Sequence, residues 1–322
     1  MGGRRLDQPL LNDNYLDKLI RRSRERSNTL GDLCKWDMEG VEIPPDTLFK
    51  ILTAIGMEKW TPVPINPKTA ARKAITRIKH MLEDPENNLK IMSRRVNTAE
   101  SDVVRYAIVE ESVDLSNLDL DYSTVNQVLF RKDTETLEFT GNPVPELVAA
   151  FDYLCSVYTD AELKQMVKNI VNNHGCIWLN DKSGMVFIGR GQKADLVEKM
   201  LKLFDELQQH GGPGGTEPDM CYFRPIAILD DEENRKVMGD ALIADIGAEL
   251  HDATEYLDRA IADDSKKSLN AALQRFRVAK AKGELYEDML TVNMEGIRER
   301  IEEANAKAAE LMTKLAEGKS SD

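Results

Sequence analysis

Two aspartates are the side chains whose spacing best suits chemistry. Asp119 and Asp121 are two residues apart, and Asp114 is close by in the chain. Alternate residues of an extended strand share a face, so both carboxylates would point the same way, as oxygen ligands for Mg²⁺. No third ligand or histidine base can be assigned. The alternative is that these aspartates form a solvated strand edge that resists aggregation. For both reasons a divalent-metal-dependent enzyme is only our third hypothesis for function.

A glycine pair in Ile188-Gly189-Arg190-Gly191 stands between a predicted strand and a predicted helix. Glycine-rich loops at such a position can bind phosphate. The third glycine of these motifs is missing here, and the surrounding pattern indicates a hairpin and not a βαβ unit. The segment therefore predicts an ordinary turn.

The histidines and cysteines form no recognisable metal or nucleophile motif. The four His and four Cys are isolated in the sequence, without the short spacings of zinc sites or disulfide frameworks. No nucleophile elbow is present either. The sequence therefore favours a non-catalytic protein without a cofactor or a bound metal, and it leaves the question of enzymatic activity open.

Basic residues are concentrated in one segment of an acidic chain. The formal net charge is −13, yet residues 66–95 contain eight Lys or Arg against three Asp or Glu. A basic helix that leads into a basic strand could contact a phosphate backbone, or it could pair with acidic helices of the same or another molecule. The second hypothesis is therefore a nucleic-acid-associated protein. Its candidate binding residues are Arg72, Lys73, Arg77, Lys79, Arg94 and Arg95.

The elements that would position these residues begin with a β meander. Between residues 88 and 140 apolar side chains recur at every second position, which predicts four antiparallel strands. Val128 and Phe130 in the third strand match Leu137 and Phe139 in the fourth, as expected for a hairpin. Helices flank the meander, and a second hairpin is predicted further along the chain. The four predicted strands are 88–96, 103–113, 121–131 and 135–140.

The chain after Asp230 is predicted to be helical. Apolar residues recur at steps of three or four over 231–262 and again over 265–317, and a sustained spacing of 3.5 is typical of a coiled coil. If unbroken, the second helix would be about 80 Å long and would extend beyond an antiparallel partner formed by the first. Its surplus apolar stripe would need another surface. The predicted oligomer or partner interface is Ile297, Ile301, Ala304, Ala308, Leu311 and Leu315.

These patterns together predict an α+β fold, in which an antiparallel β meander with flanking helices precedes a long C-terminal antiparallel helical hairpin or coiled coil. An N-terminal helical segment over 1–65, with a helix at 12–27, would come before an α+β body at 66–229. The helical hairpin would cover 230–318, and 319–322 would be a disordered tail.

The sequence also indicates where the protein works. It has no secretion signal and no run of 18 apolar residues that could span a membrane. Its isolated cysteines indicate thiols in a reducing compartment. We therefore expect a cytoplasmic protein that has no membrane contact.

Several short runs resemble a family of uncharacterised proteins from prokaryotes and their phages, over about residues 45–230. The resemblance implies a prokaryotic or viral, cytoplasmic setting and a role in phage or mobile-element biology, but it assigns no activity to any residue. The runs that carry it are Trp60-Thr-Pro, Asn66-Pro-Lys-Thr-Ala-Ala-Arg-Lys-Ala, Tyr106-Ala-Ile-Val-Glu, Leu120-Asp-Tyr, Val128-Leu-Phe-Arg-Lys, Ile177-Trp-Leu and Ser183-Gly-Met-Val-Phe-Ile.

The first hypothesis for function is a non-catalytic interaction or assembly protein. In this reading the α+β body recognises a target, and the C-terminal helices self-associate or dock to a protein partner. The surplus apolar stripe on the last helix is the feature that favours this hypothesis over the other two.

Overall fold

The computed structural model describes most of the chain from Asn28 onward. The helix predicted over 12–27 and the tail predicted over 319–322 lie outside the described residues. The described residues are 28–63, 65–82, 89–96, 103–114, 119–141, 143–179, 184–190, 194–211, 220–263 and 265–317.

The chain divides into two compact units that are interleaved in sequence. We name them the meander unit, which is Gly40–Leu163 with His210–Pro213, and the helical unit, which is Met1–Glu39, Lys164–Gln209 and Gly214–Asp322. Each unit therefore brings together segments that are distant along the chain.

The meander unit is built on a four-stranded antiparallel sheet with the strands in sequence order. Val128 pairs with Phe139 and Phe130 pairs with Leu137, so the predicted hairpin is confirmed. Alternating side chains such as Tyr106 face a core covered by two helices. The strands are β3 (Leu89–Val96), β4 (Val103–Asp114), β5 (Asp119–Arg131) and β6 (Thr136–Phe139), and the helices are α2 (Pro67–Leu82) and α3 (Pro145–Ser156).

Short elements complete the meander unit. A two-stranded sheet pairs Glu42 with Thr159 and Ile43 with Tyr158. Thr159 caps the following helix in the manner of a capping box, because its N–H donates to the Glu162 carboxylate three residues later. These elements are β2 (Glu42–Ile43), α1 (Pro45–Ala54), β7 (Tyr158–Thr159) and the first turn of α4 (Asp160–Asn173), whose residues from Lys164 onward belong to the helical unit.

The helical unit contains a second antiparallel sheet, which the sequence predicted only in part. Its strand order is β10-β1-β9-β8, and its central strand β1 (Thr29–Met38) lies where no strand was predicted. Cys34, Trp36 and Met38 on this strand are buried on one side. The second predicted hairpin corresponds to two of the other three strands, β8 (Ile177–Trp178) and β9 (Met185–Gly189). The third is β10 (Cys221–Leu229), and the helix α5 (Ala194–His210) lies between β9 and β10 in the chain.

Three helices, and not two, follow the sheet. They are α6 (Glu232–Asp263), α7 (Lys266–Leu290) and α8 (Glu295–Glu317). Together with the antiparallel sheets they confirm the predicted α+β class, and the hairpin of α6 and α7 is antiparallel as expected. The single unbroken helix that the sequence allowed over 265–317 does not form, because α7 ends at Leu290 and α8 begins at Glu295.

The break between α7 and α8 has a local cause. Thr291 adopts a left-handed conformation with φ of 56°, and its N–H bonds back to the carbonyl of Glu287, which ends the helix. Asn293 then accepts the N–H of Glu295 through its side chain and starts the next one. An ion pair between Arg298 and Glu287 shows that α8 folds back along α7.

Two further expectations concern thiols and membranes. Cys34, Cys176 and Cys221 are buried thiols, and Cys155 is half-buried. Within the part of the chain that the structure describes, no helix is both long enough and apolar enough to cross a membrane.

Candidate interaction surface on the C-terminal helices

A buried ion pair joins α6 to α7. The Lys282 ammonium lies 2.6 Å from the Asp245 carboxylate, with side-chain exposures of 0% and 2%. The same carboxylate oxygen accepts the backbone N–H of Trp178 at 3.0 Å. A buried charge is tolerated only when it is paired and hydrogen-bonded, so this contact fixes the register of the two helices and attaches them to β8.

A second ionic cluster repeats this arrangement one coiled-coil repeat away. Arg275 contacts the carboxylates of Glu249 and Asp252, each at 2.8 Å, and its guanidinium lies 5.3 Å from the ring of Tyr256. Arg275 precedes Lys282 by seven residues, and Asp252 follows Asp245 by seven. Matching spacings on antiparallel helices favour a single alignment.

Tyr286 attaches α7 to β9. Its ring is fully buried and lies 6.2 Å from the ring of Phe187, while its hydroxyl accepts the N–H of Gly189 at 3.3 Å. A Cβ atom at Gly189 would lie 2.6 Å from the Tyr286 ring. Burial raises the pKa of Tyr286, so the phenol stays neutral. Close helix packing therefore accounts for Gly189, and no phosphate is needed to explain it.

The apolar stripe of α8 is narrow and keeps a seven-residue repeat. Met294, Ile301 and Ala308 are buried, and Ile297 and Ala304 are half-buried against the same core. Because α8 folds back, its own chain covers much of the stripe that the sequence left without a partner. The side chains of the last two predicted interface residues, Leu311 and Leu315, lie outside the described residues.

An open cleft of about 220 Å³ nevertheless lies between α7 and α8, and we name it the α7–α8 groove. Its apolar lining comes from Ala279 and Gly283 on α7 and from Ile297 and Ile301 on α8. Its rim is charged and carries both signs. The charged lining residues are Lys280, Glu284, Glu287, Arg298 and Glu302.

The predicted nucleic-acid-binding residues of α2 are partly engaged by carboxylates of the same unit. The Lys73 ammonium lies 2.9 Å from a Glu162 oxygen and 2.7 Å from the Thr159 hydroxyl. Arg77 pairs with Glu42 at 3.4 Å. The structure does not describe the Lys79 side chain. Arg72, Arg94 and Arg95 are exposed, so three of the six predicted residues present their side chains to solvent.

The pairing of Lys73 with Glu162 predicts a pH effect on stability. Burial opposes ionisation of Glu162, but hydrogen bonds from Thr159 and Lys73 outweigh it and lower the pKa of this carboxyl. Stability from a depressed pKa is present above the unfolded-state pKa and is lost as pH falls through the folded-state pKa. Glu162→Gln should therefore lower the free energy of unfolding by about 1 kcal/mol at neutral pH. It should also reduce the loss of that free energy on acidification, as measured by urea unfolding at a series of pH values. A loss on acidification as large as that of the wild type would contradict this.

The two candidate metal ligands lie at the open end of a strand pair. Asp119 and Asp121 are on β5, where Asp119 pairs with Asp114 and Asp121 with Ser112. The backbone thus places both aspartates on one face, as predicted, but their side chains lie outside the described residues. Among the side chains that are described, no group of three or more His, Cys, Asp or Glu residues could hold a metal ion.

Sequence reasoning did not identify the ionic contacts that hold the helices. The available signal was the pair of seven-residue spacings, Asp245 to Asp252 and Arg275 to Lys282. Opposite charges repeated in this way on two helices joined by a tight turn are typical of an antiparallel pair.

Comparison with known proteins identifies a family for the chain. No curated protein and no solved structure matches it. A family model described as a family of unknown function (DUF6744) matches residues 29–317, from the start of β1 to the end of α8. The resemblance to a family of unknown function is thereby confirmed, and the chain belongs to the DUF6744 family.

Proposed function

We propose that this chain is a non-catalytic assembly protein whose C-terminal helices self-associate through the α7–α8 groove. The observation that carries the proposal is the groove itself: a cleft remains between the two helices, and the half-buried side chain of Ile297 lines it beside the buried Ala279 and Ile301. Apolar clefts of this kind between helices are suited to receive side chains of another helix.

The charges around the groove favour a second copy as the occupant. A twofold symmetric contact places the same surface on both sides, so the surface must be complementary to itself. The rim offers Lys280 and Arg298 together with Glu284 and Glu302, so each sign can face the other across a twofold axis. A rim of one sign would repel its own copy.

The contact would extend beyond the groove. A groove of this volume takes only one or two side chains, whereas a stable interface buries roughly 800 Å² on each partner. The helix α8 has 23 residues and is therefore about 35 Å long. Two copies of α8 lying side by side could supply the remaining area, with the groove residues at the centre.

A pair of single substitutions on α8 tests this proposal. Ile297→Glu places a charge in the groove and should weaken self-association about tenfold or more, because burying an ion without a partner is costly. Gly296→Glu adds the same side chain one residue away, where a Cβ meets open space, and should leave association within about twofold of the wild type. Sedimentation velocity over a dilution series measures both.

A thermal melt of each variant separates assembly from folding. Ile297 is half-buried, so a variant that also unfolds would not report on the groove, and Ile297→Ala then serves as the milder replacement. Equal association of a folded Ile297 variant and of Gly296→Glu would end the proposal.

A phage or mobile-element setting is also part of the proposal. It is supported by the resemblance of the sequence to a family from prokaryotes and their phages.

A nucleic-acid-associated function is the second candidate, and the exposure of Arg72, Arg94 and Arg95 favours it. Reversing Lys73 or Arg77 would break internal ion pairs, so Arg72→Glu with Arg95→Glu is the cleaner test. The double variant should reduce the affinity for DNA or RNA about tenfold and lower the salt dependence by about two charges. Unchanged retention on a nucleic-acid column would exclude this candidate.

A further inference from the structure

A second and larger cleft, of about 610 Å³, lies where α6 begins beside the turn that follows α7. We name it the α6 cleft. Part of its lining is apolar and part is charged, with Arg235 and Lys236 among a larger number of carboxylates. The apolar residues are Ile243, Leu290 and Val292, and the carboxylates include Asp230, Glu232 and Asp240.

The first three turns of α6 expose two large apolar side chains, and one of them lines this cleft. Ile243, which lines the cleft, is 42% exposed, and Val237 on the same turns is 50% exposed. Single exposed apolar residues are common, but Ile243 borders a concave site whose charged lining is acidic on balance, with four carboxylates against Arg235 and Lys236. That combination is typical of a surface that is covered by another segment.

The described chain begins at the edge of the α6 cleft. The carbonyl of Asn28 accepts the N–H of Asp230 at 3.2 Å, and the Asn28 amide donates to the carbonyl of Asp230 at 3.4 Å. Asp230 itself lines the cleft. The 27 residues that precede Asn28 are thus attached directly to its rim.

Those preceding residues have the chemistry that the cleft requires. The sequence predicts an amphipathic helix over 12–27, with Leu16, Leu19 and Ile20 on one side and four arginines near its end. Residues 12–27 contain five cationic side chains and three carboxylates, so the net charge of the segment is positive. The net charge of the cleft lining is negative. A helix of 16 residues is about 24 Å long, and α6 from 232 to 243 is about 18 Å long.

We infer that residues 12–27 dock in the α6 cleft of their own chain, antiparallel to the first turns of α6. Leu16, Leu19 and Ile20 would cover Ile243 and Val292, and the arginines would lie over the carboxylates at the rim. This inference does not depend on the proposed self-association, because it concerns another surface and another occupant.

Hydrogen exchange in the full-length chain tests the docking. Leu19→Asp places a carboxylate on the apolar side of the segment and should speed amide exchange over 232–243 about tenfold or more. Asn14→Asp makes the same addition on the opposite side of the predicted helix and should leave that exchange unchanged. Identical exchange in the wild type and both variants would overturn the inference.

Cross-linking identifies the copy that supplies the segment. An amine-reactive reagent should join Lys18 to Lys236 within one chain, because Lys236 lines the α6 cleft. The experiment uses a mixture of isotopically heavy and light protein. Links confined to heavy–heavy and light–light pairs support docking within the chain, and links that join heavy to light chains overturn it in favour of exchange between copies.

Discussion

Replacing Lys282 with methionine is expected to lower the free energy of unfolding by about 3–5 kcal/mol, since it leaves the Asp245 carboxylate buried without its counter-charge. Methionine retains most of the apolar length of lysine, so the loss reports on charge and not on a cavity. The helices α6 and α7 and the strand β8 all contact this site, and urea unfolding of the full chain measures the loss.

Two control variants isolate the cause of this loss of unfolding free energy. Lys280→Met removes an exposed lysine two residues away, whose partner Glu284 is also exposed, and should change stability by less than about 0.5 kcal/mol. Asp245→Asn combined with Lys282→Met removes both charges and keeps an oxygen that can accept the N–H of Trp178, so it should recover a large part of the loss. A Lys282→Met variant as stable as Lys280→Met would contradict a structural role for the pair.

Truncating Tyr286 to alanine is expected to cost about 3–5 kcal/mol, which is the usual range for removing a large aromatic ring from a core. The ring is fully buried between α7 and the sheet, beside Phe187 and Gly189. Gly189, which faces the ring, has no side chain of its own that could refill that volume. The measurement is again the midpoint and slope of urea unfolding.

A conservative replacement separates the ring from its hydroxyl. Tyr286→Phe keeps the ring but leaves the N–H of Gly189 without its acceptor, which should cost about 1–3 kcal/mol. The expected order of stability is therefore wild type, phenylalanine and alanine. An alanine variant that is no less stable than the phenylalanine variant would show that the ring does not hold α7 on the sheet.

Local patterns in the sequence were sufficient for most of the fold. Alternation in β5 and β6 predicted the hairpin in which Val128 pairs with Phe139, because side chains of half-buried strands have a period of two. The apolar faces of the α6–α7 hairpin were predicted in the same way, because the helical period is equally local.

The parts that were missed depend on distant partners. β1 contains Gly31, Asp32, Lys35 and Asp37, and this polar content concealed the alternation of Cys34, Trp36 and Met38. It becomes a central strand only because β9 and β10, more than 150 residues later, supply its hydrogen bonds. Pairing of that kind is decided by tertiary packing and leaves a weak local signal.

The candidate sites were predictable only as far as they depend on local sequence, because contacts with distant residues leave no local pattern. The seven-residue repeat of Met294, Ile301 and Ala308 was visible, but the turn at Thr291 decides which surface covers it. The basic content of α2 was also visible. The carboxylate that neutralises Lys73 belongs to Glu162, 89 residues away, and no local pattern indicates that contact.

Light scattering of the unmodified full-length chain over a concentration series tests self-association most directly. The account predicts a mass that rises from one chain towards two as the concentration increases, and a return to one chain for the folded Ile297→Glu variant. A mass of one chain at every concentration would contradict the proposal that the α7–α8 groove receives a second copy.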